Sequence, residues 1–448
     1  MFTTALPWRS ARGAQLLVDP AAIAHNTTVF RRLLGGGEVM AVVKANGYGA
    51  GAETVARAAL SAGATWLGVT SLSEALALRG VGITAPILSW LNPVTADFRA
   101  AVDAGVEVAV PSLAHLRAVL ATAPPPARVH LQVDVGLARE GSPPAQWAEL
   151  FAAAARAEAR GRVAVVGLMG HLSCADTPEH PANPREVRRF GQARTLARLH
   201  GLRPQVTHLA ATAAALAGPE GHPRQGHAAQ GCSTLGHSTP SQPTPDHSYR
   251  GHSFLGRIGA GLLGLDPFDS GPPSPDAAPS GLPRPNPAPS GLLRPALTLR
   301  APVIDLREVP AGTPVGYGGT WVAPRDTRLA QVAVGYADGI PRHLSPDAAV
   351  WAGGRRCPLV GRVSMDQVVI DLGDTRLERG EHVTFYGPGR DGEPTVAEFA
   401  AWAGTIPNEV ATSVGPRVAR IALPAAGRRH PPGTLPSGLT VTELAVAA

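Results

Sequence analysis

A chain of 448 residues is too long for one ordinary hydrophobic core, so two or three domains are expected. Its 44% hydrophobic and 17% charged content fit a soluble globular protein, and a net charge of +6 spread over scattered arginines gives no footprint for nucleic acid. Three cysteines without CxxC spacing argue against a disulfide framework, and no apolar run reaches the roughly 20 residues of a membrane helix. The N-terminus has no apolar stretch of the signal-peptide kind, so a cytoplasmic location is the expectation.

From residue 14 to 215 the chain alternates short Val/Ala/Leu runs with alanine-rich helical stretches. Strands are predicted at 39–43, 66–70, 85–90, 106–110, 129–133, 163–167 and 205–209, and helices at 53–62, 73–79 and 112–120. Strand-then-helix units at this spacing imply a parallel sheet, and so many in series predict closure as a (β/α)8 barrel of the TIM type. The regime then changes. Residues 218–252 and 266–295 are rich in Pro, Gly, Ser and His, and read as flexible insertions around an ordered island at 254–265. His222, His227, His237, His247 and His252 have irregular spacing, so no metal site is expected. Beyond residue 295, alternating runs such as 329–334 and 368–370, punctuated by Gly and Pro, predict a mostly-β second domain. The expected layout is a barrel domain over 1–267, a Pro-rich linker over 268–294 and a β domain over 295–448.

Lysine occurs once, at position 44, while the other 39 basic residues are arginine. Only lysine among these cations has a primary amine able to lose its proton and condense with a carbonyl. Lys44 ends a predicted barrel strand, and in this fold strand C-termini face the active site. Desolvation at such a mouth lowers a lysine pKa. Gly47, Gly49 and Gly51 let the backbone turn into the next helix, and Tyr48 stands within reach of a phosphate.

The string AVVKANGYGAG at 41–51 resembles the cofactor-lysine motif of the alanine racemases, which use pyridoxal 5′-phosphate. Further segments resemble that family in the same order: DVGLAR at 134–139, GHLSCAD at 170–176, RIGAGLLG at 257–264, VGYGG at 315–319, GYADG at 335–339 and GRVSMDQ at 361–367. The resemblance spans about residues 13–421 apart from the insertions. It implies interconversion of L- and D-alanine by two bases, supplying D-alanine for cell-wall peptidoglycan, in a head-to-tail homodimer. It also implies that Lys44 serves the D-face and that Tyr317, supplied by the partner subunit, serves the L-face.

Tyrosine titrates near ~10, so it needs cationic neighbours to act as a base, and Arg139 and His171 are the candidates. The resemblance sets Arg257 against the pyridine nitrogen, with His208 supporting it. Tyr48, Thr212, Gly259 and Ala260 fall at the phosphate, while Arg139 and the Met365 backbone fall at the substrate carboxylate, with Asp366 in a supporting place. Three departures stand out: Ala211-Thr212 replaces Asn-Ser, Leu263 replaces a tyrosine, and Asn408 replaces the tyrosine of an Asn-Tyr-Glu-Val segment. The alternatives are a broad-specificity racemase or a decarboxylase of the same fold, and a non-catalytic carrier of the cofactor.

Overall fold

The computed structural model describes residues 13–217, 253–268 and 291–424. The predicted insertion at 218–252, with its five histidines, and most of that at 266–295 lie outside the described residues. Among the described residues no cluster of His, Cys, Asp and Glu suits a metal, and no helix is long and apolar enough to cross a membrane. Cys174 and Cys357 are free.

After β1 (Gln15–Val18) come eight strands that close into a parallel barrel: β2 (Glu38–Val42), β3 (Trp66–Val69), β4 (Ile87–Ser89), β5 (Val106–Val110), β6 (Ala127–Gln132), β7 (Val163–Met169), β8 (Val206–His208) and β9 (Ser253–Ile258). Closure is made by β9 pairing with β2, Met40 opposite Arg257. Side chains alternate between the two faces of each strand. Val39, Ala41 and Val43 join the large outer core beneath the helices, while Met40, Val42, Trp66, Leu88, Ala109, Met169, Val206 and Leu255 pack as a separate inner cluster. Lys44 continues the inner series of Met40 and Val42, two residues on, and so reaches the barrel mouth.

The second domain is a mostly antiparallel sheet. It is built from β10 (Leu297–Val309), β11 (Pro314–Val315), β12 (Trp321–Val322), β13 (Thr327–Val332), β14 (Ala349–Ala352), β15 (Arg355–Val360), β16 (Val368–Asp371), β17 (His382–Tyr386) and β18 (Ala419–Ala422), with β11 and β12 forming a separate ribbon. A register shift between Val303 and Asp305 bends β10, so that its first half pairs with β1 and β17 and its second half with β13. The strand β1 lies in the sequence range expected to belong to the barrel. It is instead held between β10, antiparallel, and β18, parallel. Only after this strand does the chain enter helix Pro20–Leu33, capped by Asp19, and cross into the barrel.

The second domain also supports the lysine loop. Arg420 on β18 donates to the Gly49 carbonyl at 3.0 Å, and helix Pro407–Ser413 lies so close that a Cβ at Gly49 would meet the Ala411 carbonyl oxygen at 2.3 Å. Gly49 has φ +82, a left-handed conformation that costs any side-chain residue free energy. Gly49→Ala is therefore expected to lower stability by about 1–3 kcal/mol or more, read as a lowered midpoint in thermal or urea unfolding. An unchanged midpoint would show that this contact yields freely.

Candidate active site

Four residues after β2 form a left-handed turn: Ala45, Asn46, Gly47 and Tyr48 have φ of 52°, 53°, 63° and 55°. Three of these carry side chains, and non-glycine residues adopt this region only where surroundings impose it. Glu74 does so. Its carboxylate caps helix Leu72–Gly80 in a Ser71–Glu74 capping box and accepts the Ala45 N–H at 2.7 Å. The Asn46 side chain accepts from Ala52 N–H at 3.0 Å, and Gly47 N–H returns to the Val43 carbonyl at 2.8 Å. The turn starts at Lys44, whose Nζ lies 6.0 Å from the Tyr48 ring centroid. Burial and then Arg139 hold the Lys44 amine below its ordinary pKa; Arg257 adds to this, against the opposing pull of Glu140 and Glu74.

At the end of β9 sits Arg257, a buried guanidinium. It donates to the His208 carbonyl at 2.8 Å, the Gly170 carbonyl at 2.5 Å and the Leu209 carbonyl at 3.3 Å, and to Nδ1 of His208 at 2.9 Å and of His171 at 3.1 Å. Burial pushes its pKa down to about 10, so it remains a cation at neutral pH. His171 differs from expectation. Burial, then the charges of Arg257, Arg139 and Lys44, press its pKa down to about 3. It is a neutral acceptor of an Arg257 N–H and does not supply the positive charge expected of it. His208, fully enclosed behind Arg257, is likewise held well below its ordinary value by burial and by Arg257.

These groups line a cleft of about 550 Å³. Lys44, Tyr48, Arg139, His171, Thr212, Arg257, Gly259 and Ala260 all border it, as does Asn408 from the second domain of the same chain. Burial raises the Tyr48 phenol to about 12, keeping it a hydrogen-bond donor. A Cβ at Gly259 would fall 2.1 Å from the Tyr48 hydroxyl, so only glycine lets this phenol pack against the end of β9. The Thr212 hydroxyl accepts from Gly259 N–H at 3.3 Å and Gly261 N–H at 3.4 Å, which gathers donors there. Arg139 pairs with Glu140 at 3.0 Å. Sequence reasoning missed both acids near Lys44. The Ser-x-x-Glu spacing at 71–74 signals Glu74, but only as a helix cap. Nothing local signals Glu140.

Tyr317, Met365 and Asp366 stand apart from these lining residues. Tyr317 is 68% exposed and Met365 53% exposed, and Tyr317 borders a different hollow of the second domain with Arg307, Arg362 and Ser364. Asp366 is bound to Arg417 at 2.8 Å, and Arg417 also grips the buried Asp338 at 2.9 Å. Of the expected site residues, one chain thus brings together Lys44, Tyr48, Arg139, His171, Thr212, Arg257, Gly259 and Ala260.

Residues 18–234 match the family model described as alanine racemase, N-terminal domain, and residues 296–422 that of the C-terminal domain. The chain belongs to the alanine racemase family. It is 42% identical over 417 residues to an alanine racemase of Mycolicibacterium smegmatis, spanning 92% of this chain and 95% of that protein. It is 38% identical over 411 residues to one of Thermobifida fusca, spanning 91% and 97%. The structure of an alanine racemase from Streptomyces coelicolor A3(2) superposes with a TM-score of 0.78 at 37% identity, covering 92% of this chain and 98% of that one. These relatives share the order of a parallel barrel followed by a β domain.

The charges around Lys44 make a signed test. Arg139→Gln removes a neighbour that lowers its pKa and should slow labelling of Lys44 by an amine reagent at pH 8, while Glu140→Gln should speed it. As the only lysine, Lys44 gives an unambiguous mass signal, apart from the α-amino terminus. Equal labelling rates in all three proteins would show that these charges do not govern the amine.

Proposed function

We propose that this chain is a pyridoxal 5′-phosphate-dependent amino-acid racemase that interconverts L- and D-alanine and so supplies D-alanine for cell-wall peptidoglycan. The observation that carries it is the sole lysine, its pKa lowered, in one cleft with a buried arginine on an alanine racemase scaffold. The cleft suits the cofactor, because its lining brings the Tyr48 and Thr212 hydroxyls together with the backbone of Gly259 and Ala260, a donor set of the kind a phosphate takes. When bound, pyridoxal phosphate supplies a carbonyl that captures amines and a ring that acidifies the substrate's α-proton.

The residues of the chain do the rest. Lys44 would hold the cofactor through its amine, and the same amine, when neutral, would take or return the α-proton on one face. Tyr48, Thr212 and the backbone N–H groups of Gly259 and Ala260 hold the phosphate. Arg257 would stand towards the ring nitrogen as a donor that keeps its own proton, and so would limit how far a bound ring draws charge from Cα. His171 and His208 steady Arg257. Arg139 and the Met365 N–H take the substrate carboxylate, and Asp366 braces the loop of Met365 through Arg417. The second base is Tyr317 of another copy of this chain, which explains why Tyr317 and Met365 are exposed here and why the reading needs a homodimer. An arginine at the ring nitrogen speaks against a decarboxylase, and the β domain against a single-barrel carrier. The reading puts the protein in the cytoplasm.

Two experiments bear on it. Purified protein with cofactor should racemise alanine, and borohydride should fix the cofactor's mass on Lys44. Protein that neither racemises any amino acid nor takes up cofactor would sink the reading. Shared sites also predict complementation. Lys44→Ala and Tyr317→Phe proteins, each impaired alone, should regain about a quarter of parental activity when unfolded together and refolded as random dimers, since one site in each mixed dimer is intact. No recovery would place both bases in one chain.

Asn408 lines the cleft where the family carries tyrosine. Asn408→Tyr should narrow the entry, lower the ratio of serine to alanine turnover, and tighten cofactor retention by about ten- to a hundredfold if a phosphate bond is restored. Unaltered ratios and retention would mark Asn408 as neutral.

A further inference from the structure

Behind Arg257 the barrel interior holds a row of titratable groups that the proposed reaction leaves unused. His208 Nε2 lies 2.9 Å from His130 Nδ1, His130 Nε2 lies 2.7 Å from Glu107 Oε2, and Arg128 Nε lies 2.6 Å from Glu107 Oε1. The groups come from the neighbouring strands β5 and β6 and, beyond β7, from β8. Glu107 is 3% exposed, and both histidines are fully buried. A register shift sets His130 opposite Gly167 on β7, where a Cβ would fall 2.0 Å from the ring. That glycine is required for space, and the bulge re-aims the ring.

Proton counting leaves one arrangement. A guanidinium can only donate, so His208 Nδ1 is an acceptor and its proton sits on Nε2. His130 Nδ1 must then accept, its proton sits on Nε2, and that N–H points at Glu107, which must be an acceptor. Burial alone would raise the Glu107 carboxyl, but hydrogen bonds from His130 and Arg128 outweigh it and keep it ionised. Between Arg257 and Glu107 every hydrogen bond points towards the carboxylate, and Arg128 donates into it from the far side.

We infer that Glu107, through His130, is a positioning residue for Arg257: its ionised carboxylate sets the direction of the row, and so keeps His208 Nδ1 free to receive the guanidinium. This deepens the proposed function and rests on it for its catalytic consequence. Replacing Glu107 by glutamine tests direction with little change in size. Arg128 would attract the new amide oxygen, leaving the amide NH2 to face His130. His130 would then carry its proton on Nδ1, His208 on Nδ1, and two donors would meet at Arg257.

Neutron diffraction from crystals of the perdeuterated, cofactor-loaded protein should place deuterium on Nε2 of both His208 and His130. Deuterium on Nδ1 of either ring overturns the inference, whether or not the protein proves to be a racemase. In solution, Glu107→Gln should lower kcat for alanine about tenfold or more while borohydride still fixes the cofactor on Lys44. Arg128→Gln, which leaves the carboxylate in place, should change kcat by no more than about twofold. The double variant frees the amide to turn its oxygen to His130, and kcat should return to within about threefold of the parent. A role in packing alone predicts no such rescue, so a double variant as slow as Glu107→Gln, or a Glu107→Gln protein at full speed, overturns the inference. An absence of racemisation in the parent would instead fail the functional reading and leave the neutron result to decide this one.

Discussion

A charged guanidinium enclosed in a barrel is the constraint around which this molecule is arranged. Moving such an ion out of water costs several kcal/mol even after relaxation, and among the described residues no carboxylate hydrogen-bonds Arg257 to offset it. The compensation is spread over backbone carbonyls at the ends of β7 and β8 and over two imidazoles held neutral. Each acceptor is available because its strand ends where it does. The same demand for acceptors explains why histidines, which can present a bare nitrogen, stand at 171 and 208 where lysine or arginine would fail.

Around that fixed cation the remaining parts are graded in rigidity. The lysine loop is forced into a left-handed path by Glu74 and Asn46 and pressed from outside by helix Pro407–Ser413 and Arg420. The two domains of one chain thus build one wall of the cleft together. Arg139, by contrast, is exposed, and among the described residues its ion pair is with its neighbour Glu140, so it is less tightly fixed than Arg257.

Much of this was legible in the sequence. Barrel strands declare themselves because both faces are apolar over short runs, and strands 106–110 and 163–169 begin where the runs begin. Lys44 was legible by its solitude, and Arg257 and Tyr48 through the family motifs. What stayed hidden depends on contacts distant along the chain. β1 looks like any first strand of an α/β domain, and its partners lie about 280 and 400 residues further on. Glu107 interrupts an otherwise apolar strand, while Arg128, His130 and Gln132 alternate along the next, a pattern that reads as a strand with one solvated face. Only barrel closure shows that Glu107, Arg128 and His130 face one another. His171 was misjudged in charge because its partner's proton count is not a property of its own segment.

The threading of β1 bears on how the protein comes to exist at all. β1, made before the barrel strands, must wait without these partners while the barrel is synthesised, until β10 and then β18 arrive to flank it. An unpaired strand of Gln-Leu-Leu-Val is an adhesive edge in the meantime. Maturation is thus tied to completion. A chain truncated by nonsense or by proteolysis before residue 419 would lack the parallel neighbour of its own N-terminal strand, leaving the two domains joined through a sheet with an open side.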